Sequence, residues 1–111
     1  MADAAVIDAV KRYIDVLRRE HAFNVSQAVL FGSFARGRAD EWSDIDLVVV
    51  ASRFDEGIAR PDVELLWRVA AHTDSRIEPI PCGVRQWVED QSSAIIEIAR
   101  REGQVILPDA A

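Results

Sequence analysis

The segment 30–50, LFGSFARGRADEWSDIDLVVV, constrains the fold of this chain more than any other. It begins in an apolar run, turns at Gly32-Ser33, crosses a polar segment, and enters a second apolar run that carries Asp44 and Asp46. Side chains alternate between the two faces of a strand, so residues two apart point the same way, roughly 6–7 Å apart. The sequence therefore predicts a strand with both aspartates on one face.

Two carboxylates this close repel each other, and one keeps its proton unless a cation lies between them. Oxygen ligands of this kind suit Mg²⁺ or Mn²⁺, which bind one or two carboxylates together with the phosphates of a substrate. Gly32 permits close approach of the backbone, and Ser33 is predicted to open a short helix whose free N–H groups face a phosphate. Gly-Ser and Asp-x-Asp pairs are each common alone, but their combination ahead of a buried strand favours a phosphate–metal site.

Gly32-Ser33, Gly37 and the run 43–47, SDIDL, resemble the signature of the DNA polymerase beta-like nucleotidyltransferase superfamily. The short chain is similar to its minimal nucleotidyltransferase branch, the antitoxin partners of HEPN-domain toxins. The resemblance implies an α/β (α+β) fold with a small mixed β-sheet and helices packed on it. It also implies a single minimal nucleotidyltransferase domain over residues 1–111.

The resemblance further implies a third acidic residue on a neighbouring strand, and Glu78 is the candidate, although relatives more often carry aspartate there. Asp44, Asp46 and Glu78 would then be the catalytic and metal-binding residues, with Glu78 accepting the proton of the attacking hydroxyl. Gly32 and Ser33 would hold the phosphates of the nucleotide. From the residues alone, Glu78 is also explained as a solvent-facing side chain of an alternating strand.

Arg36 and Ser43 complete the predicted nucleotide site. Arg36 and Arg38 lie beside the phosphate site, and each either neutralises a triphosphate, binds the acceptor substrate, or pairs as a solvated arginine with Asp40 or Glu41. Ser43 is expected to hydrogen-bond locally and to order the turn before the metal-binding strand. Trp42 either stacks on a base or packs half-buried.

In the resembling family the enzyme transfers AMP from ATP to a tyrosine of a HEPN ribonuclease toxin, in a reaction that needs Mg²⁺ or Mn²⁺. We expect the same function here, with a HEPN toxin as partner. Two alternatives stay open, namely an antitoxin that neutralises its toxin by binding alone and a small-molecule nucleotidyltransferase. Homo-oligomers and hetero-oligomers are both compatible with the sequence.

The composition narrows the class of protein. At 111 residues, with 50% hydrophobic and 29% charged residues, one globular domain is expected. The net charge of −6 argues against a free-standing nucleic-acid binder. No apolar run approaches the roughly 20 residues that span a bilayer, and a secretory signal is not evident, so we expect a cytoplasmic protein without membrane contact. Cys82 is the single cysteine, which excludes a disulfide within the chain.

Hydrophobic periodicity places the remaining elements. Helices are predicted over 4–20, 61–73, 84–91 and from Ser92 or Ser93 to near Gly103, with one or two helical turns over 33–38 closed by a left-handed Gly37. Extended segments are predicted over 25–31, over the apolar run that carries Asp44 and Asp46 and ends at Val50, over 76–82 and over 104–107. A loop is predicted over 51–61. Pro79 predicts an edge position for segment 76–82. The apolar stripes of the two later helices are predicted to be Val63, Leu66, Trp67 and Ala70, and Ile95, Ile98 and Ala99.

Overall fold

The computed structural model describes residues 3–35, 37, 39–40 and 43–109. The helices are α1 (Ala4–His21), α2 (Arg60–Thr73), α3 (Val84–Glu89) and α4 (Ala94–Glu102). The strands are β1 (Gln27–Phe31), β2 (Ile45–Val50), β3 (Ile77–Cys82) and β4 (Gln104–Ile106), and a 3-10 helix spans Ser52–Glu56. The predicted helices and strands outside segments 33–38 and 51–61 are confirmed to within a few residues at each end.

The four strands form one mixed sheet in the order β3-β2-β1-β4. β1 pairs antiparallel with both β2 and β4, whereas β2 and β3 are parallel. A parallel pair needs a long connection, which the 3-10 helix and α2 provide. A small mixed sheet with helices packed on it confirms the predicted fold class, and the edge position of β3 agrees with the prediction from Pro79.

Each face of the sheet carries its own apolar core. Ile45 and Leu47 of β2 pack in the core beneath α1 and α2, while Val48 and Val50 pack in a second core with α4. The hydroxyl of Tyr13, fully buried in α1, donates to the carbonyl of Leu66 in α2 at 2.9 Å. Burial raises the pKa of Tyr13, so this hydroxyl keeps its proton and joins the two helices across their interface.

The predicted apolar stripes of α2 and α4 are wrong in part. Trp67 is 47% exposed and Val69 takes the buried position in α2. In α4, Ile95 and Ile98 are 47% and 36% exposed, and Ile96 is buried instead. Both helices carry apolar residues on more than one side, so periodicity alone could not select the side that faces the sheet.

Segment 33–38 is not helical in its described part, which corrects the predicted helical turns. Residues 32–35 and 37 form turns, and the N–H of Gly37 donates to the carbonyl of Phe34 at 3.4 Å. Gly32 and Gly37 both have positive φ, +76° and +70°, which confirms the left-handed Gly37. Because only four residues separate Gly32 from Gly37, the segment between them is too short to nucleate a helix. Arg36, Arg38 and Trp42 lie outside the described residues.

Segment 51–61 is also more ordered than the predicted loop. Phe54, within the 3-10 helix, is 4% exposed, and its ring centroid lies 5.6 Å from that of Phe23. This aromatic contact fixes the segment against the core. Pro61 lies in the first turn of α2, as predicted. None of the described helices is long and apolar enough to cross a bilayer.

Candidate active site

The two aspartates lie at the start of β2, on the sheet face opposite Ile45 and Leu47. Asp44 is exposed and immediately precedes the strand, and Asp46 is half-buried at the second position of the strand. Ile45 and Leu47 alternate with them and are fully buried against the α1 and α2 layer. The alternation that the sequence predicts is therefore present, and it directs both carboxylates away from that core.

The register of the parallel pair brings Glu78 to the same place. Asp46 of β2 is directly opposite Glu78 of β3, and neighbouring strands lie about 4.8 Å apart. Burial raises the pKa of Glu78, and the negative charges of Asp44 and Asp46, which also hydrogen-bond with it, raise this pKa further. The three predicted acidic residues thus form one interacting cluster at the start of β2 and β3.

The chemistry of this cluster fits a hard divalent cation. Within the described ranges, no group of three His, Cys, Asp or Glu side chains is arranged to hold a metal ion in its present conformation. Burial is the first cause of the raised pKa of Glu78, and the negative charges of Asp44 and Asp46 add to it. A bound cation relieves the repulsion between these charges as a proton does, and Mg²⁺ and Mn²⁺ prefer carboxylate oxygens.

Gly32 lies directly against the acidic cluster. Its φ of +76° is one that residues with a Cβ rarely adopt. A Cβ at this position would overlap Oδ2 of Asp46 and lie 3.3 Å from its Cγ. Glycine is therefore required here twice, for the backbone conformation and for the space beside the carboxylate.

The other predicted nucleotide-binding residues have different outcomes. Ser33 follows Gly32 in the turn and is half-buried, but it does not begin a helix. The hydroxyl of Ser43 donates to Oδ1 of Asp40 at 3.3 Å and accepts the Asp40 N–H at 3.1 Å. Ser43 thus orders the turn before β2, as predicted from the sequence. Arg36 lies outside the described residues, so its assignment stays a prediction.

Arg76, for which the sequence predicts no role, links two parts of the site. Its carbonyl accepts the N–H of Ile45 at 2.8 Å, and its guanidinium lies 5.5 Å from the ring centroid of Phe34. Asp74 holds that guanidinium through both carboxylate oxygens, at 3.0 and 2.7 Å. The hydrogen bond from Arg76 lowers the pKa of Asp74, and the same bond raises that of Arg76. An arginine two positions before Glu78 was the only available signal in the sequence.

The family described as "Nucleotidyltransferase domain" matches residues 10–104, which include every candidate residue of this site. The chain belongs to the nucleotidyltransferase family. Members of this family generally use a nucleoside triphosphate and a divalent metal ion. The carboxylate cluster and the adjacent glycine turn lie within the matched region and are suited to those two components.

A relative and two solved structures extend the comparison. A protein of Methanocaldococcus jannaschii named "Putative protein adenylyltransferase" is 38% identical over 42 residues, which are 38% of this chain and 42% of that protein. A crystal structure of a "putative nucleotidyltransferase" from Sulfolobus solfataricus has a TM-score of 0.59 and 16% identity, covering 89% of this chain and 77% of that one. A toxin–antitoxin structure with AMP-PNP has a TM-score of 0.60 and 20% identity, covering 89% and 73%. At these identities the two structures show that the fold of this nucleotidyltransferase is shared.

Proposed function

We propose that this nucleotidyltransferase transfers AMP from ATP to a tyrosine hydroxyl of a partner protein, a HEPN ribonuclease toxin, in a reaction that needs Mg²⁺ or Mn²⁺. The observation that carries the proposal is the strand register that sets Glu78 beside Asp46, with Gly32 against the same carboxylate. Support for a protein acceptor comes from the relative named as a protein adenylyltransferase. The toxin–antitoxin structure with AMP-PNP, which has the same fold, supports the toxin as that acceptor.

In this proposal each part of the site has a defined task. Asp44, Asp46 and Glu78 hold the metal ion, and Gly32 and Ser33 let the backbone approach the phosphates of ATP. A bound divalent cation supplies charge neutralisation for the triphosphate and for the departing pyrophosphate. The acceptor oxygen bonds to the α-phosphorus as the bond to the pyrophosphate oxygen breaks. Glu78, which lies beside Asp46 on the neighbouring strand, is the carboxylate assigned to take the proton that the hydroxyl loses.

The proposal is tested with ATP labelled in the α-phosphate, Mg²⁺ or Mn²⁺, and the purified product of the adjacent gene. We expect label on that protein, a mass increase of whole AMP units, and loss of label when the modified tyrosine is replaced by phenylalanine. Asp46→Asn should abolish labelling. Asp8→Asn, the same change at an exposed position of α1, should leave it intact. Absence of label with either metal contradicts the proposal.

Two outcomes would favour the alternative functions, namely an antitoxin that acts by binding alone and a small-molecule nucleotidyltransferase. If the Asp44→Asn/Asp46→Asn variant neutralises the toxin at the same stoichiometry as the wild type, binding alone is the function. Transfer of label to a soluble small molecule, with no partner protein present, would instead identify a small-molecule nucleotidyltransferase. The proposal also treats residues 1–111 as one catalytic domain, so this chain should support the reaction when only ATP, the metal ion and the acceptor protein are added.

A further inference from the structure

A cleft of about 570 Å³ lies between α1 and α2, and none of the described candidate active-site residues lines it. This volume is within the range of about 300–1,000 Å³ that is usual for small-molecule sites. Half of the lining side chains are arginine or histidine. The lining residues are Arg12, Val16, Glu20 and His21 of α1 and Arg68, Val69, His72 and Thr73 of α2.

The two arginines of this cleft lack carboxylate partners within the part of the chain that the structure describes. Most other described lysines and arginines form ion pairs, such as Lys11 with Asp109. Neither Arg12 nor Arg68 makes a side-chain hydrogen bond or an ion pair with any described residue. In a chain of net charge −6, two guanidinium groups at one cleft that have no carboxylate partner among the described residues leave a local surplus of positive charge.

The other lining residues suit an anion attached to an organic group. His21 and His72 are exposed at the cleft and can donate N–H groups, while the half-buried Val16 offers an apolar surface. Glu20 is the single carboxylate among the lining residues. Its charge opposes an anionic ligand, so its removal should strengthen binding.

We propose that the cleft between α1 and α2 binds a phosphate-bearing small molecule. Arg12 and Arg68 contact the phosphate, because the planar guanidinium group offers paired donors that match phosphate oxygens. The organic part rests on Val16. The site is separate from the acidic cluster, and its existence does not depend on the proposed transfer reaction.

The two histidines provide a specific readout. They are the only histidines of the chain, and both line the cleft, so their imidazole C–H signals in proton NMR report on this site. Inorganic pyrophosphate is titrated at constant pH and ionic strength in EDTA, which removes the divalent ions on which the acidic cluster depends. We expect both imidazole signals to shift saturably with a Kd below about 1 mM. A parallel titration with AMP shows whether a nucleotide or the inorganic anion is the better ligand.

Substitutions in the cleft should change the Kd in opposite directions, depending on the charge that they remove. The Arg12→Gln/Arg68→Gln variant should raise the Kd by about tenfold or more, while Glu20→Gln should lower it by roughly two- to fivefold. Arg85→Gln is the matched control, because Arg85 is exposed, lies outside the cleft and has no side-chain partner among the described residues. Thermal unfolding establishes that each variant is folded.

Three results would overturn the proposal. Shifts that rise linearly without saturating indicate only non-specific screening. An equal loss of affinity in the Arg85→Gln control shows that overall charge, rather than this cleft, determines binding. An unchanged Kd in the Arg12→Gln/Arg68→Gln variant, together with a lower Kd in the Asp44→Asn/Asp46→Asn variant, assigns the anion to the neighbourhood of the acidic cluster instead.

Discussion

Replacing Gly32 with alanine is the most direct perturbation of the candidate site. The change has two separable costs, because Gly32 has a φ of +76° and because a Cβ there would overlap Oδ2 of Asp46. An alanine in the left-handed region costs about 1–2 kcal/mol in the free energy of unfolding. For a chain of this size that should lower the Tm by roughly 4–10 °C.

The overlap between the new Cβ and Oδ2 of Asp46 should lower the activity by more than the loss of stability alone would. To accept the new methyl group, the Asp46 carboxylate or the turn must shift by about 1 Å, and a displacement of that size near reacting atoms can reduce a rate by about 10²-fold. We therefore expect Gly32→Ala to remain folded but to lose about 99% of its AMP-transfer rate. Label transfer to the acceptor protein, measured well below the Tm of the variant, gives that rate.

Gly37→Ala separates the two costs. Gly37 has a nearly equal φ of +70°, but a Cβ built on it meets no described atom within 4 Å. It should therefore lose similar stability while retaining most of its activity. If Gly37→Ala is as inactive as Gly32→Ala, or if Gly32→Ala keeps wild-type activity, the inference that Gly32 makes room for Asp46 is wrong.

Three further predictions concern the framework. Tyr13→Phe removes the buried hydrogen bond to the Leu66 carbonyl, so urea denaturation should show a loss of about 1–2 kcal/mol with the m-value unchanged. Asp74→Asn removes a carboxylate whose pKa is lowered by the hydrogen bond from Arg76. The ionised carboxylate stabilises the fold at pH values above the ordinary aspartate pKa, and this stabilisation is lost as the pH falls through the lowered pKa of Asp74. The Tm difference from the wild type should therefore be largest near pH 7 and shrink towards zero in acid, and a constant difference would contradict this. Ser93→Ala removes the side-chain cap of α4 and should lower the free energy of unfolding by about 1 kcal/mol, detectable by the same denaturation assay, whereas Ser92→Ala should have a smaller effect.

The parts of the fold that local sequence determines were predictable. The apolar run of β2, the stripe of α1 and the proline that opens α2 each act over a few residues, and each element lies where predicted. The side of α4 that faces the sheet could not be predicted, because Ile95 and Ile96 are equally apolar and only packing against β1 selects Ile96. The turn after Gly32 was mistaken for a helix because two left-handed glycines, rather than helix propensity, determine its course.

In the candidate site, too, some features follow from local sequence and others depend on how distant segments pack. Asp44, Asp46 and Gly32 lie in one short stretch, so their proximity follows from strand alternation and a tight turn. Glu78 reaches them only through the register of β3 on β2, which the connection through α2 establishes and which no local pattern encodes. The family resemblance supplied this residue as a candidate, and the structure places it beside Asp46.

The contacts of Arg76 explain how the backbone of the candidate site is held in place. The carbonyl of Arg76, in the turn just before β3, accepts the N–H of Ile45, and the guanidinium lies against Phe34, in the turn that follows Gly32. Asp74 fixes the guanidinium in turn, so the turn and both strands share one set of contacts that involves none of the three clustered carboxylates. Burial and the charges of Asp44 and Asp46, which together raise the pKa of Glu78, therefore act on side chains whose backbone is already held in place. Under the proposed function, that backbone is the preorganised framework that a transfer reaction needs.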